Sequence, residues 1–220
     1  MTNRYNNYSD FLKNKYGVKV YKLPISIPVT CPNRDGTCGF DGCSFCGDIG
    51  AGYQHVPDTV GVKEQIAMHK GHIIDKYKAK KFIAYLQNYS NTYLPLATLE
   101  KYLLEACDED VVRIALATRP DCVSDSYLEK LADIKSKTKV DISVELGLQT
   151  VNYHALEEIR RGHSLAEYLD AMQRINKYGL ESCTHVILNL PGSDRLDVIE
   201  TAKVLSAMKT TEAKIHALYI

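Results

Sequence analysis

Short apolar runs alternate along the chain with longer stretches in which apolar residues recur every three or four positions. Lys81 to Gln87 (KFIAYLQ), Val111 to Thr118 (VVRIALAT), Val140 to Leu148 (VDISVELGL) and Cys183 to Leu190 (CTHVILNL) are too short for helices and predict strands. Val18 to Pro28 (VKVYKLPISIP) alternates, is rich in β-branched residues and predicts the first strand, with two prolines toward its end. Lys214 to Tyr219 (KIHALY) predicts the last. Between them, helical periodicity predicts helices over Tyr5–Tyr16, Val62–Ala79, Leu96–Ala106, Asp125–Lys135, Asn152–Arg161, Leu165–Tyr178 and Asp194–Met208. Ser124 and Ser164 stand at N-cap positions, and Gly17 and Gly179 at helix stops.

Strand followed by helix, roughly six times over, means parallel βαβ units. The strands are apolar runs more than clean alternations, as expected when helices cover one face and a packed interior the other. Two α/β architectures fit: an open doubly wound sheet, or a curved (β/α) barrel or partial barrel. In either, chemistry belongs at the C-terminal ends of the strands. The chain stops directly after a strand, with no closing helix. Residues 1–220 are therefore expected to form a single domain that lacks a C-terminal segment.

Charge adds little, because lysine plus arginine equals aspartate plus glutamate at 27 each. The whole-chain field gives no push toward nucleic acid or an anionic membrane. The local run of Lys76, Lys78, Lys80 and Lys81 reads as a solvated helix end. No apolar run approaches the ~18 residues a membrane span needs, and the polar N-terminus has no signal core. A cytoplasmic protein without membrane contact is expected. Seven cysteines then call for a reason other than disulfides, which an odd count and a reducing compartment both disfavour. Cys107, Cys122 and Cys183 are scattered and read as small buried residues.

The other four, Cys31, Cys38, Cys43 and Cys46, are packed into TCPNRDGTCGFDGCSFCGD directly after the first strand. Such density, spaced C-x6-C-x4-C-x2-C at the expected active face, points to a metal or cluster. A structural zinc site would use all four sulfurs, but only Cys43 and Cys46 form a C-x-x-C knuckle. A cubane iron–sulfur cluster takes thiolates too; held by only three, it keeps one iron open to a small chelating molecule. Cys31, Cys43 and Cys46 could leave such an iron, with Cys38 as a passenger. Gly36, Gly39, Gly42, Gly47, Gly50 and Gly52 would let the loop wrap closely.

The cysteine loop with its aromatic Phe45, together with the words CPNRDGT, GCSFC, AYLQNYSNTY, ATRPD, ELGLQT, RRGH and THVILNLPG, resembles the radical S-adenosylmethionine (SAM) superfamily. Within it the chain looks like the YhcC/YtqA-type group, related to the radical-SAM domain of the Elongator catalytic subunit. The resemblance runs from about Tyr5 to Tyr219.

The resemblance implies a partial (β/α)6 TIM-like barrel. It implies a [4Fe–4S] cluster on Cys31, Cys43 and Cys46, and SAM cleaved to a 5′-deoxyadenosyl radical. Gln149 matches a position that meets the SAM ribose, and Arg161 one that pairs its carboxylate. Gln87 stands where many relatives carry a Gly-Gly-Glu word that meets the SAM amine. LNLPGSD resembles a GLPGE word, with Asn189 for the first glycine and Ser193–Asp194 for the glutamate. His185, just upstream, is expected to face SAM.

The residues themselves also speak for this site. Period-two geometry puts Glu145, Gly147 and Gln149 on one face of a strand, and a buried Glu145 would need partners. SAM, with its amine, carboxylate and ribose, wants groups of this kind. The resemblance further implies an electron donor such as flavodoxin or ferredoxin, and tRNA wobble-uridine modification as the reaction. Two rivals remain: a zinc-stabilised binding module, and a non-catalytic electron carrier with Cys38 as fourth ligand.

Overall fold

A computed structural model describes residues 5–47 and 56–218; Gly50, Gly52 and Tyr219 lie outside the described residues. The elements follow the order α1 Tyr8–Tyr16, β1 Val20–Ile25, α2 Val62–Tyr77, β2 Lys81–Leu86, α3 Leu96–Ala106, β3 Val111–Thr118, α4 Asp125–Thr138, β4 Asp141–Gln149, α5 Tyr153–Glu158, α6 Leu165–Lys177, β5 Glu181–Leu188, α7 Arg195–Ala207 and β6 Glu212–Ala217. One turn of 3-10 helix, Pro120–Cys122, follows β3.

The sheet runs β1-β2-β3-β4-β5-β6, every neighbouring pair parallel. A doubly wound sheet would reverse its order part-way. Sequential order instead gives the curled half-barrel, and that settles the choice the periodicity left open.

The two faces of the strands differ. Leu23, Ile25, Phe82, Leu86, Ile114, Leu116, Ile142, Val144 and Leu146 pack in one apolar cluster with helix residues such as Ile66, Leu99, Leu128 and Met172. The alternate positions form the interior. There Val20, Ile83, Tyr85 and Ala115 pack around Leu12 of α1, and polar residues occupy much of the rest. Near the strand N-termini, buried Arg113 pairs with Glu181 (2.7 Å) and Glu212, and its Nε donates to the Tyr16 hydroxyl (3.1 Å). This ties β3, β5, β6 and α1 together. Breaking such a buried pair by removing one partner typically costs ~3–5 kcal/mol.

Where observed boundaries differ from the sequence expectations, local chemistry explains most of it. α1 begins at Tyr8 because the Asn7 side chain accepts from Ser9 N–H and caps it. α5 is shorter than the expected Asn152–Arg161: it starts after its cap, Asn152, and ends at Glu158, before Arg160 turns left-handed (φ 53°). β5 ends at Leu188 because Asn189 is left-handed (φ 61°). Asparagine tolerates that conformation better than most residues. Asp194 caps α7, its carboxylate accepting from Leu196 and Asp197 N–H. Among the described residues no helix is long and apolar enough to cross a membrane.

Candidate functional site

The C-terminal ends of the strands and the cysteine loop enclose one pocket. Its walls include all eight residues singled out from the sequence: Cys31, Cys43, Cys46, Gln87, Glu145, Gln149, Arg161 and His185. Cys38 is not among the lining residues and is exposed, its amide donating to the Pro32 carbonyl (2.7 Å).

The loop is held by its own turns and by two side chains the sequence reading passed over. Arg34 and Cys46 amides donate to the Cys31 and Cys43 carbonyls (2.8 and 2.9 Å). Asn33 Nδ2 lies within hydrogen-bonding distance of Cys43 Sγ (3.3 Å) and of the carbonyls of Arg160 (2.7 Å) and Arg161 (3.1 Å). Arg119, from the ATRPD word, donates to the carbonyls of Arg161 (2.9 Å) and Gly162 (3.1 Å) while paired with Asp121 (2.7 Å). Gly162 has φ 72°, and a Cβ there would lie 2.4 Å from Asn33 Oδ1. That glycine lets the RRGH turn press against the cysteine loop. Burial pushes the Cys46 thiol up, Arg34 beside it pulls it down, and the Cys43 and Cys31 sulfurs add a smaller upward push.

Of the two adjacent arginines, Arg160 is the solvated one, paired with Asp41 (3.3 Å). Arg161 is buried, and its guanidinium donates to the Gly147 carbonyl through Nε (3.2 Å) and Nη2 (2.7 Å) and points Nη1 at Cys43 Sγ (3.5 Å). His163 Nε2 meets the same carbonyl (3.1 Å). Burial first, and the Arg161 charge next, hold the His163 imidazole down to about 3, so it is neutral and has one N–H for two carbonyls, that of Gly147 at Nε2 and that of Ser164 at Nδ1 (3.2 Å). β4 carries an irregularity between Gly147 and Gln149, and Gln149 has φ 75°. Its Oε1 is buried without a hydrogen-bond partner among the described residues. Phe45 is half-buried; it lines the pocket and packs against the cluster of Ala155, Leu156, Ile159, Ile187 and Leu190.

One layer nearer the strand N-termini, Glu145 accepts from Lys22 Nζ (2.7 Å) and His185 Nε2 (2.7 Å). Burial raises the Glu145 carboxyl, but the His185 hydrogen bond and the Lys22 charge outweigh it and hold the group well below the usual carboxylate range. Burial lowers His185 despite Glu145. Glu145 is thus ionised, and a neutral His185 donates to it through Nε2. His185 Nδ1 then accepts from His216 Nε2 (3.3 Å), which burial and its neighbours hold neutral down to about 4. Lys22, Lys214 and His216 escaped the sequence reading. Their one signal was that strand-interior positions opposite apolar ones were charged.

The donor set suits a cluster and a chelating molecule. Three sulfurs share one pocket, amide and guanidinium nitrogens face one of them, and an unsatisfied buried acceptor stands beside.

Residues 26–205 match the family described as the Radical SAM superfamily. Among curated proteins the chain is 36% identical over 218 residues to the uncharacterized protein YtqA of Bacillus subtilis, covering 99% of this chain and 67% of that one. It is 33% identical over 216 residues to protein YhcC of Escherichia coli, covering 98% and 68%. A shorter match, 29% identical over 90 residues, covers 41% of this chain and 16% of a tRNA uridine(34) acetyltransferase of Methanocaldococcus jannaschii. Among solved structures, Elp3 of Methanocaldococcus infernus superimposes with a TM-score of 0.61 at 17% identity, over 90% of this chain and 45% of that one. The chain therefore spans about two-thirds of the length of YtqA and YhcC and less than half of that structure.

Proposed function

The chain belongs to the radical SAM superfamily, and from that premise we propose that Cys31, Cys43 and Cys46 hold a [4Fe–4S] cluster beside a bound SAM. When bound, the two supply reductive cleavage of SAM to a 5′-deoxyadenosyl radical that abstracts hydrogen from the substrate. The observation that carries this reading is the shared pocket: three sulfurs meet the Gly147–Gln149–Arg161 corner there, while Cys38 stays exposed outside it. That exclusion favours three ligands over the four-thiolate alternatives.

This chain's own residues bind, orient and shield. Gln149 Oε1 offers an acceptor to a ribose hydroxyl, and Arg161 offers a buried guanidinium to the SAM carboxylate. Gln87, at the end of β2, takes the place of an acidic partner for the amine. Asn33 and Arg161 direct N–H groups at Cys43, the kind of hydrogen bonding that tunes cluster potential. Phe45 keeps water from the sulfurs on the apolar side.

The substrate in this reading is the wobble uridine of tRNA, supported by the partial match to tRNA uridine(34) acetyltransferases. A flavodoxin- or ferredoxin-like protein supplies the electron. The test is anaerobic reconstitution of single variants. Cys38→Ala keeps the full iron and sulfide complement, whereas Cys31→Ala, Cys43→Ala and Cys46→Ala each lose most of it. Equal loss in Cys38→Ala would overturn the three-ligand assignment.

A further inference from the structure

The two ends of the sheet, β1 and β6, are not paired with each other, and each turns one lysine into the interior. Lys22 comes from β1 and Lys214 from β6, and the curl brings both to one ring. Their Nζ atoms lie 4.5 and 5.0 Å from the Tyr85 centroid, and Lys214 Nζ is 3.4 Å from the Tyr85 hydroxyl. The one carboxylate beside them, Glu145, is already taken by Lys22 and His185. Among the described residues Lys214 forms no ion pair. Among the described residues this layer therefore sets two lysines against one carboxylate.

Charged side chains at sheet ends often serve to block strand pairing. That purpose does not require a lysine on β1 to reach a carboxylate on β4, nor two lysines to meet over a ring on β2. Turning an unpaired ammonium inward costs desolvation, which a side chain on an exposed end strand could avoid by pointing outward. Burial indeed lowers the Lys214 ammonium's hold on its proton. The arrangement makes physical sense when an anion completes it.

We propose that Lys214 and Lys22, with the Tyr85 hydroxyl, form a subsite for the carboxylate of a small co-substrate bound alongside the uridine. The subsite rests on the reading of the adjoining pocket as the reaction chamber, since Tyr85, Glu145 and His185 belong to both. Phosphate sites draw on arginine forks or free backbone N–H groups at helix N-termini, whereas the charged groups acting on Lys214 are Glu145, Lys22 and Cys183. A cation is the other candidate occupant, because ligand atoms of Glu145, Cys183 and His185 lie within 4.8 Å of one another. Two ammonium groups in the same layer oppose it, and burial keeps the Cys183 thiol protonated.

The test uses the reconstituted full chain with N-acetylglycine and its neutral amide, N-acetylglycinamide, as probes, titrated by saturation-transfer NMR. The acid binds about tenfold or more tightly than the amide, as loss of a charge-assisted contact implies. Lys214→Met removes the difference, with Lys214→Gln as a second variant should the first misfold. Lys101→Met, on the exposed face of α3, keeps it. Equal binding of acid and amide, no binding of either, or an unchanged preference in a folded Lys214 variant overturns the subsite. Deoxyadenosine release, assayed on the same samples, separates the two readings. Normal release without acid preference removes the subsite alone, whereas acid preference without release removes the cofactor reading and, with it, the subsite's part in a reaction, leaving a carboxylate-binding site only.

Discussion

Gly147 shows how much of the site hangs on one missing methyl group. Its carbonyl receives Arg161 and His163, and an added Cβ would lie 2.6 Å from Arg161 Nη2 and 2.9 Å from Gln149 Nε2. Those separations are far inside van der Waals contact, so both side chains must move. Gly147→Ala is therefore expected to keep its iron, because the cysteine loop is held by its own turns and by Asn33 on backbone carbonyls of the Arg160–Arg161 turn rather than by side chains of β4. Its SAM affinity falls about tenfold or more, the equivalent of one charge-assisted hydrogen bond. Equilibrium binding of SAM to the reconstituted variant checks this, and unchanged affinity would detach Gly147, Arg161 and Gln149 from the cofactor. The sequence word ELGLQT marked the position, but only the approach of Arg161 from a turn fourteen residues on explains why it is glycine.

Among the elements, α6 carries the most complete local instructions. Ser164 and Glu167 form a reciprocal capping box, and Tyr168, Ala171, Met172 and Ile175 form the buried stripe. Ser164→Ala should lower stability by ~1 kcal/mol, read as a lower urea midpoint with an unchanged slope. A shift of that size matters because α6 follows the turn that presents Arg161 and His163. Elements with such local signals were legible: Leu96–Ala106 and Val111–Thr118 fall where the periodicity puts them. The outermost strands were placed, but their ends were not. β6 begins at Glu212, before the expected Lys214, where Glu212 pairs with Arg113 and takes its register from Cys183. Those partners lie outside any local window. The same limit applies at the site. Sulfur density and strand-face periodicity located the pocket, whereas the meeting of Lys22 with Lys214 depends on the curl of the whole sheet.

On the scale of the molecule, the half-barrel divides its residues by face. Its outer surface is apolar and clothed by helices, and its inner surface holds charged groups in two layers. Near the strand N-termini, Arg113 and its carboxylates fasten strands to one another, a structural use of charge. Near the C-termini, charge and sulfur line an accessible pocket. The chain's formal net charge of zero conceals this division, which is why composition alone said nothing about the chemistry. The central claim is that the pocket holds a three-cysteine cluster with an open iron that SAM occupies. The most direct measurement is the EPR spectrum of the anaerobically reconstituted, dithionite-reduced protein with and without SAM, with 5′-deoxyadenosine assayed in the same samples. The account predicts a spectrum that changes on adding SAM, and deoxyadenosine formed in step. Zinc in place of iron, or a cluster signal indifferent to SAM with no deoxyadenosine released, would contradict it.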